Sequence, residues 1–260
     1  MSYCPHMTSK GKTLMNQDSP ALIEALRNLR PGLVVDVGAL DGRDAVDFAR
    51  AGHRVWSFEA MPNKLDSIRN RLQTTQTSHR VTLHAVALSN YTGTGHFVAH
   101  ANWAGDDSFA DAKNTSGQEV IDVPTRTLDS FANADTQIAL TKIDAQGYDF
   151  RVLRGATALL ASRRIARVVF EFTPAMMPGG AAEAEEHLRW MLDMGYACAP
   201  CNAVWSRVHV GGSSAPRSIA AYVQGYWFTE RRTQRSRLRG FDNIVCVPRV
   251  KCNACDKLKP

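Results

Sequence analysis

The chain lacks any long apolar run. None approaches the ~18 residues that a membrane-crossing helix requires, so no segment is expected to span a bilayer. The opening residues also lack the apolar stretch, about 7–15 residues long, that marks a secretory signal. A soluble, intracellular protein, cytoplasmic by default, is therefore the expectation. There is no internal repeat and no low-complexity segment, which excludes solenoids and arrays. Cysteines are few and widely spaced: Cys4, Cys198, Cys201, Cys246, Cys252 and Cys255. Four of them form two Cys-x-x-Cys pairs, Cys198/Cys201 and Cys252/Cys255, a candidate structural zinc site. The separation of the pairs exceeds that of a compact zinc ribbon, so unpaired thiols or a disulfide compete with the metal.

What is present fits one α/β domain. With 260 residues and 44% hydrophobic content, the chain can bury a full core. Residues 1–18 are polar and patternless and read as a loose leader. A single domain is expected over 19–250 and a cysteine-bearing tail over 251–260. The formal charge is +6 and the isoelectric point about 9.1. Much of that excess sits in Arg231, Arg232, Arg235, Arg237 and Arg239. Such a run either faces solvent or meets RNA phosphates or an acidic partner.

Leu33 to Val37 is a short β-branched run that stops at Gly38, and a helix-capable stretch follows from Arg43 to Ala51. This is the outline of a buried parallel strand, a tight turn and a helix, the ligand corner of a doubly wound sheet. A phosphate cradle would read Gly-x-Gly-x-x-Gly. Here the pattern is Asp36-x-Gly38-x-x-x-Gly42, with Ala39 and Asp41 inside the turn. An acid at the strand tip suits a ligand with an amino group and a sulfonium, S-adenosylmethionine (SAM), better than a pyrophosphate. Glu59 ends the next strand, Arg54 to Phe58, 21 positions after Gly38, where an acid can accept the ribose hydroxyls of an adenosine. Ala60 follows it. Residues 86–88, with Ala87 at their centre, follow a third strand (Val81 to Val86) and are candidates to wall the adenine. Taken singly, Asp36 could equally cap a helix and Glu59 could be a solvated strand end.

Regular alternation breaks between Gly93 and Phe131, where Gly95–Ala99 and Val120–Thr125 read as short strands around a polar span containing Asn102, Trp103, Asp106, Asp107 and Ser108. An insertion of this length at the ligand edge either covers the substrate or is a loosely ordered hairpin. Alternation returns with a fourth strand (Ile138 to Asp144), a helix (Asp149 to Leu160), a fifth strand (Val168 to Phe172), a helix (Glu183 to Met194) and a final antiparallel pair (Tyr196–Pro200 and Asn243–Val247). Mostly parallel strands with helices on both faces, seven strands in all, are expected. Lys142 and Asp144 share one face of the fourth strand. With Asp36 and Glu171 they should converge at the carboxyl ends of three adjacent strands, as a catalytic cluster or as a structural ion network.

Asp-x-Gly-Ala-x-x-Gly, Phe58-Glu59-Ala60-x-Pro62, Thr127-Leu128-Asp129, the motif from Lys142 to Ala156, and Phe170-Glu171 together resemble the FkbM-type methyltransferases. The resemblance runs from about Leu33 to Thr173. It implies a class I, Rossmann-like SAM-dependent methyltransferase that methylates hydroxyl groups of sugars or natural products. It also implies that Asp36, Gly38, Gly42 and Glu59 line the SAM pocket and that Asp144 lies beside the methyl group. Gln146 stands where many members carry Glu.

Methyl transfer to oxygen asks the protein to align the acceptor and take its proton. Asp144 is the first candidate base and Glu171 the second, with His84, His96 and His100 in reserve and Lys142 as the balancing cation. A divalent metal held by Asp144 and nearby acids would serve the same end. No Asn/Asp-Pro-Pro-aromatic sequence follows the fourth strand, which points the acceptor toward oxygen rather than a base amine. The competing expectations are an RNA or polyanion methyltransferase using Arg231–Arg239, a non-catalytic subunit of the same fold, and a nicotinamide-dependent oxidoreductase.

Overall fold

The computed structural model describes residues 30–99, 108–110, 119–174, 176–200 and 242–248. The leader, residues 19–29, residues 102–107 of the insertion, His100, Cys201, Cys252, Cys255, the Arg231–Arg239 run and the tail lie outside them.

Strand β1 (Leu33–Val37) is buried at every position. Its two neighbours are both parallel: β2 (Arg54–Phe58) on one side and β8 (Ile138–Ile143) on the other. A strand enclosed on both faces and both edges has no use for alternation, which is why it reads as an unbroken β-branched run. The complete sheet has seven strands in the order β10-β11-β9-β8-β1-β2-β3. Here β3 is Val81–His84, β9 Val168–Phe172, β10 Tyr196–Pro200 and β11 Asp242–Pro248. Only β11 runs against its neighbours. The doubly wound, mostly parallel sheet expected from the sequence is the one observed.

Helices cover both faces. On one, α1 (Arg43–Arg50) and α2 (Pro62–Thr74) bury Ala45, Phe48, Ile68 and Leu72 against Val34 and Leu140. On the other, α3 (Asp149–Arg154), α4 (Thr157–Ala161) and α5 (Gly180–Asp193) bury Phe150, Leu153, Leu160 and Leu188 against Val35 and Phe170. Each large side chain buried this way contributes about 1.5–3 kcal/mol. The helix expected over Asp149–Leu160 is divided. Gly155 lies so close to the Ser89 carbonyl that a Cβ there would collide with it. Asp129 then caps the second piece, accepting from Ala158 N at 2.8 Å and Leu159 N at 3.0 Å.

The third strand also ends earlier than expected, at His84. Ala87–Leu88 (β4) leaves the main sheet and joins a second one, ordered β4-β7-β5-β6, with β5 Gly93–Ala99, β6 Ser108–Phe109 and β7 Glu119–Arg126. The insertion is therefore a small sheet built on an antiparallel β5–β7 pair. It stands at the carboxyl edge of the main one.

Cys198 and Cys246 face each other in the β10–β11 register and are joined by a disulfide. This corrects the zinc expectation. The Cys198 sulfur is spent on Cys246, so it cannot ligate a metal beside Cys201. Among the described residues no group of three His, Cys, Asp or Glu side chains could hold a metal ion.

Candidate active site

The turn after β1 is folded by its glycines. Gly38 and Gly42 both have φ of +77°, and Leu40 sits at +54°. In that region a Cβ is strained, and at Gly38 there is no room for one: it would strike the Asp144 carbonyl. The turn is pinned from both sides. Gly38 N and Ala39 N donate to Phe58 O at 3.0 and 3.1 Å, and Asp144 N donates to Val37 O at 3.1 Å. The tips of β1, β2 and β8 thus form one rigid edge. Gly42 starts α1 and packs on Ile68. Asp41 lies on the outer rim, paired with Arg43 at 2.8 Å and Arg71 at 3.2 Å.

Beneath that edge lies a buried ion network. Asp36 has no solvent exposure; it accepts from Ser57 Oγ at 3.2 Å and lies 3.6 Å from Lys142 Nζ. Burial pushes its carboxyl up to about 6, with Lys142 pulling back and Asp44 pushing further. Lys142 reaches Asp44 at 3.0 Å and Asp144 at 4.0 Å. Burial works against its charge, but Asp36, Asp144 and Asp44 outweigh it and raise its pKa above the ordinary lysine value. Asp36 is not on the cavity wall. Its side-chain contacts are with Ser57 and Lys142. Asp44, the closest partner of Lys142, was not singled out from the sequence, where it reads as an ordinary first-turn acid.

The cavity opens above the strand tips. Gly38, Glu59, Ala60, Ala87 and Asp144 lie on its wall; Ala39, Asp41, Gly42, Lys142 and Glu171 do not line it. Glu59 is almost fully buried and holds the turn by accepting from Leu40 N at 2.8 Å and Met61 N at 2.9 Å, one on each oxygen. Phe97 and Phe109 of the second sheet close the far side, their ring centroids 4.4 Å apart, and Tyr148 packs at a tilt against Phe109 with centroids 5.4 Å apart. The insertion therefore covers the ligand edge. These aromatics were missed because only tertiary folding brings β5 and β6 over β1.

Asp144 is more open than Asp36 or Asp44, its side chain 39% exposed. Gln146 Nε2 donates to its Oδ1 at 2.7 Å and reaches Glu171 Oε2 at 3.4 Å. Two of the reserve histidines, His84 and His96, are not on the cavity wall. His84 stacks on Phe58 with centroids 4.6 Å apart, and burial lowers its pKa. His96 pairs with Asp122 on the exposed face of the second sheet.

A six-stranded parallel array with one reversed strand and a cavity at its carboxyl edge, with Glu59 and Asp144 from two strand tips on its wall, is the class I methyltransferase-like α/β fold. The family model described as the methyltransferase FkbM domain matches residues 36–198, more than half the chain. The chain belongs to that family and is a SAM-dependent methyltransferase. No curated protein matches it. Among solved structures it is similar to a precorrin-6y C5,15-methyltransferase from Geobacter metallireducens, at 16% identity over 74% of this chain and 78% of that one, with a TM-score of 0.40. A SAM-dependent methyltransferase from Geobacter sulfurreducens, in complex with S-adenosyl-L-homocysteine, aligns at 13% identity over 88% and 91%, TM-score 0.43. The O-methyltransferase TomG from Streptomyces achromogenes, in complex with SAM, aligns at 13% over 88% and 77%, TM-score 0.42.

Proposed function

We propose that the enzyme methylates a hydroxyl oxygen on a sugar, glycoconjugate or other small molecule, with Asp144 as the base that takes the hydroxyl proton. The observation that supports this is the position of Asp144: a half-exposed carboxylate on the cavity wall, fixed by Gln146, at the tip of the central strand next to β1. The residues present fit a cationic nucleoside. Gly38 brings bare backbone against the Asp144 carbonyl, the Glu59 carboxylate stands on the cavity wall within reach of ribose hydroxyls, and Val86, Ala87 and Leu88 offer an apolar wall for the base. SAM, when bound there, supplies an electrophilic methyl group on a sulfonium.

The protein's own part is alignment and exclusion of water. Phe97 and Phe109 shield the far side of the cavity. Lys142 keeps Asp36 and Asp44 compensated beneath it. Glu171 stands behind Asp144 on the neighbouring strand and is the second candidate base. The reading as an RNA methyltransferase rests on Arg231–Arg239 in the sequence alone.

Calorimetry with S-adenosylhomocysteine tests the cofactor half: Glu59→Ala should weaken binding at least tenfold. A tritiated-methyl assay over a panel of glycosides and phenols tests the acceptor half. Asp144→Asn should cut transfer at least a hundredfold, in line with the usual contribution of a general base, while homocysteine-product binding stays within a few fold. Undiminished transfer by Asp144→Asn would remove the base.

A further inference from the structure

Gln146 stands out in backbone and side chain alike. It is a non-glycine residue at φ +51°, a left-handed conformation that persists where the surroundings impose it and that clusters at functional sites. The surroundings do impose it. Gly147 follows at φ +89°, pressed against the Met176 backbone so closely that a Cβ would come within 2.8 Å of its carbonyl oxygen. Tyr148 N closes the turn on Ala145 O at 3.1 Å. This turn aims the Gln146 amide back across the tips of β8 and β9, where Nε2 contacts Asp144 Oδ1 at 2.7 Å and Glu171 Oε2 at 3.4 Å. Both neighbours are carboxylates, which accept and do not donate. The amide must therefore present its NH2 group to them. A single NH2 has two hydrogens, one for each acid.

We propose that Gln146 is the positioning residue of this site: an amide clamp that holds the Asp144 and Glu171 carboxylates side by side without adding charge. The inference rests on the reading of Asp144 as the base. Two carboxylates that share a partner repel unless something between them is positive, whether a proton, a cation or a donor hydrogen. The amide supplies donor hydrogens and keeps Asp144 Oδ1 occupied. The other oxygen of Asp144 lies 4.0 Å from Lys142 Nζ, and the residue lines the cavity. The base thus meets an acceptor hydroxyl in one orientation. A third carboxylate at position 146 would remove the donors and place three acids together. Such a group demands a proton or binds a divalent cation through oxygen ligands.

Gln146→Glu tests the clamp without needing the acceptor. Mn2+ titrations by calorimetry and thermal melts are run on wild type, Gln146→Glu and Gln146→Ala, with S-adenosylhomocysteine binding measured on the same samples. The expected result is that Gln146→Glu binds Mn2+ at least tenfold more tightly than wild type and Gln146→Ala do, and that Mn2+ raises its melting temperature alone. Adding Asp144→Asn to Gln146→Glu should abolish the gain. If Gln146→Glu does not fold in cation-free buffer, Mn2+ present during refolding should recover it. Failure of that recovery, equal Mn2+ binding by wild type, or a folded Gln146→Glu with no gain overturns the clamp. Absent homocysteine-product binding by wild type would instead sink the proposed enzyme chemistry and leave the Mn2+ comparison standing.

Discussion

Asp149 shows how far a single side chain can depart from its sequence meaning. It opens α3, where an acid is ordinarily a solvated partner of the helix dipole. In the fold it has no exposure, and neither carboxyl oxygen has a hydrogen-bond partner among the described residues. Burial pushes it up to about 8, the charge of Asp144 adds to the push, and nearby backbone amides pull back only in part. It is therefore mainly protonated at neutral pH. Because the folded value lies above the unfolded one, near 3.8, the folded state binds the extra proton. Its stabilisation is complete below about pH 4 and is lost as pH rises toward 8. Between pH 6 and 8 this one group should cost up to about 1.4 kcal/mol of stability per pH unit. Asp149→Asn should flatten that limb of the stability curve in urea titrations; an unchanged slope would mean that the carboxyl is not neutral in the native protein. Asp36 makes the same point about legibility. The sequence places it at a strand tip, but whether a tip acid meets ligand or lysine depends on β8, which arrives from far along the chain.

At the scale of elements, local signals were legible and boundaries set by tertiary contact were not. The strand–turn–helix around Gly38 could be read directly, because its sequence signals, the apolar run from Leu33 and the glycines at 38 and 42, lie within ten residues. The split between α3 and α4 could not: it depends on Ser89 pressing on Gly155, two segments distant in sequence. The second sheet was read only as two strands, since the pairing of Ala87–Leu88 with β7 leaves no periodic trace in so short a run. The turn offers a clean comparison. Gly38 and Gly52 both have positive φ, but a Cβ at Gly52 would meet only Pro31 Cγ at 3.9 Å. Gly52→Ala should cost about 1 kcal/mol of conformational strain. Gly38→Ala adds a backbone collision and should cost at least twice as much, with homocysteine-product affinity lost as well. Equal melting temperatures for the two variants would show that the Asp144 carbonyl can yield.

For the whole molecule, strand order explains why the acids meet. β1 lies between β2 and β8, and β8 lies between β1 and β9, so Glu59, Asp144 and Glu171 reach one rim from stretches of chain that never touch in sequence. Alternation of strands and helices made this order predictable, but the edge of the sheet was not. The cysteine spacing suggested two metal knuckles, whereas the register of β10 and β11 puts Cys198 opposite Cys246. That bond closes a loop spanning 48 positions and should contribute about 2–4 kcal/mol by restricting the unfolded chain. Cys198→Ser with Cys246→Ser should lower stability by that amount under oxidising conditions and leave it unchanged under reductant. Disulfides persist where the milieu is oxidising, so the compartment decides whether the sheet's edge has this support.

The same covalent stitch has a consequence for chain integrity. Pro200 and Asp242 leave and re-enter the sheet at the same end, on two strands tied together at Cys198 and Cys246. A peptide bond severed anywhere along 201–241 would leave the two halves as one covalent particle, and only a thiol reagent would set them apart.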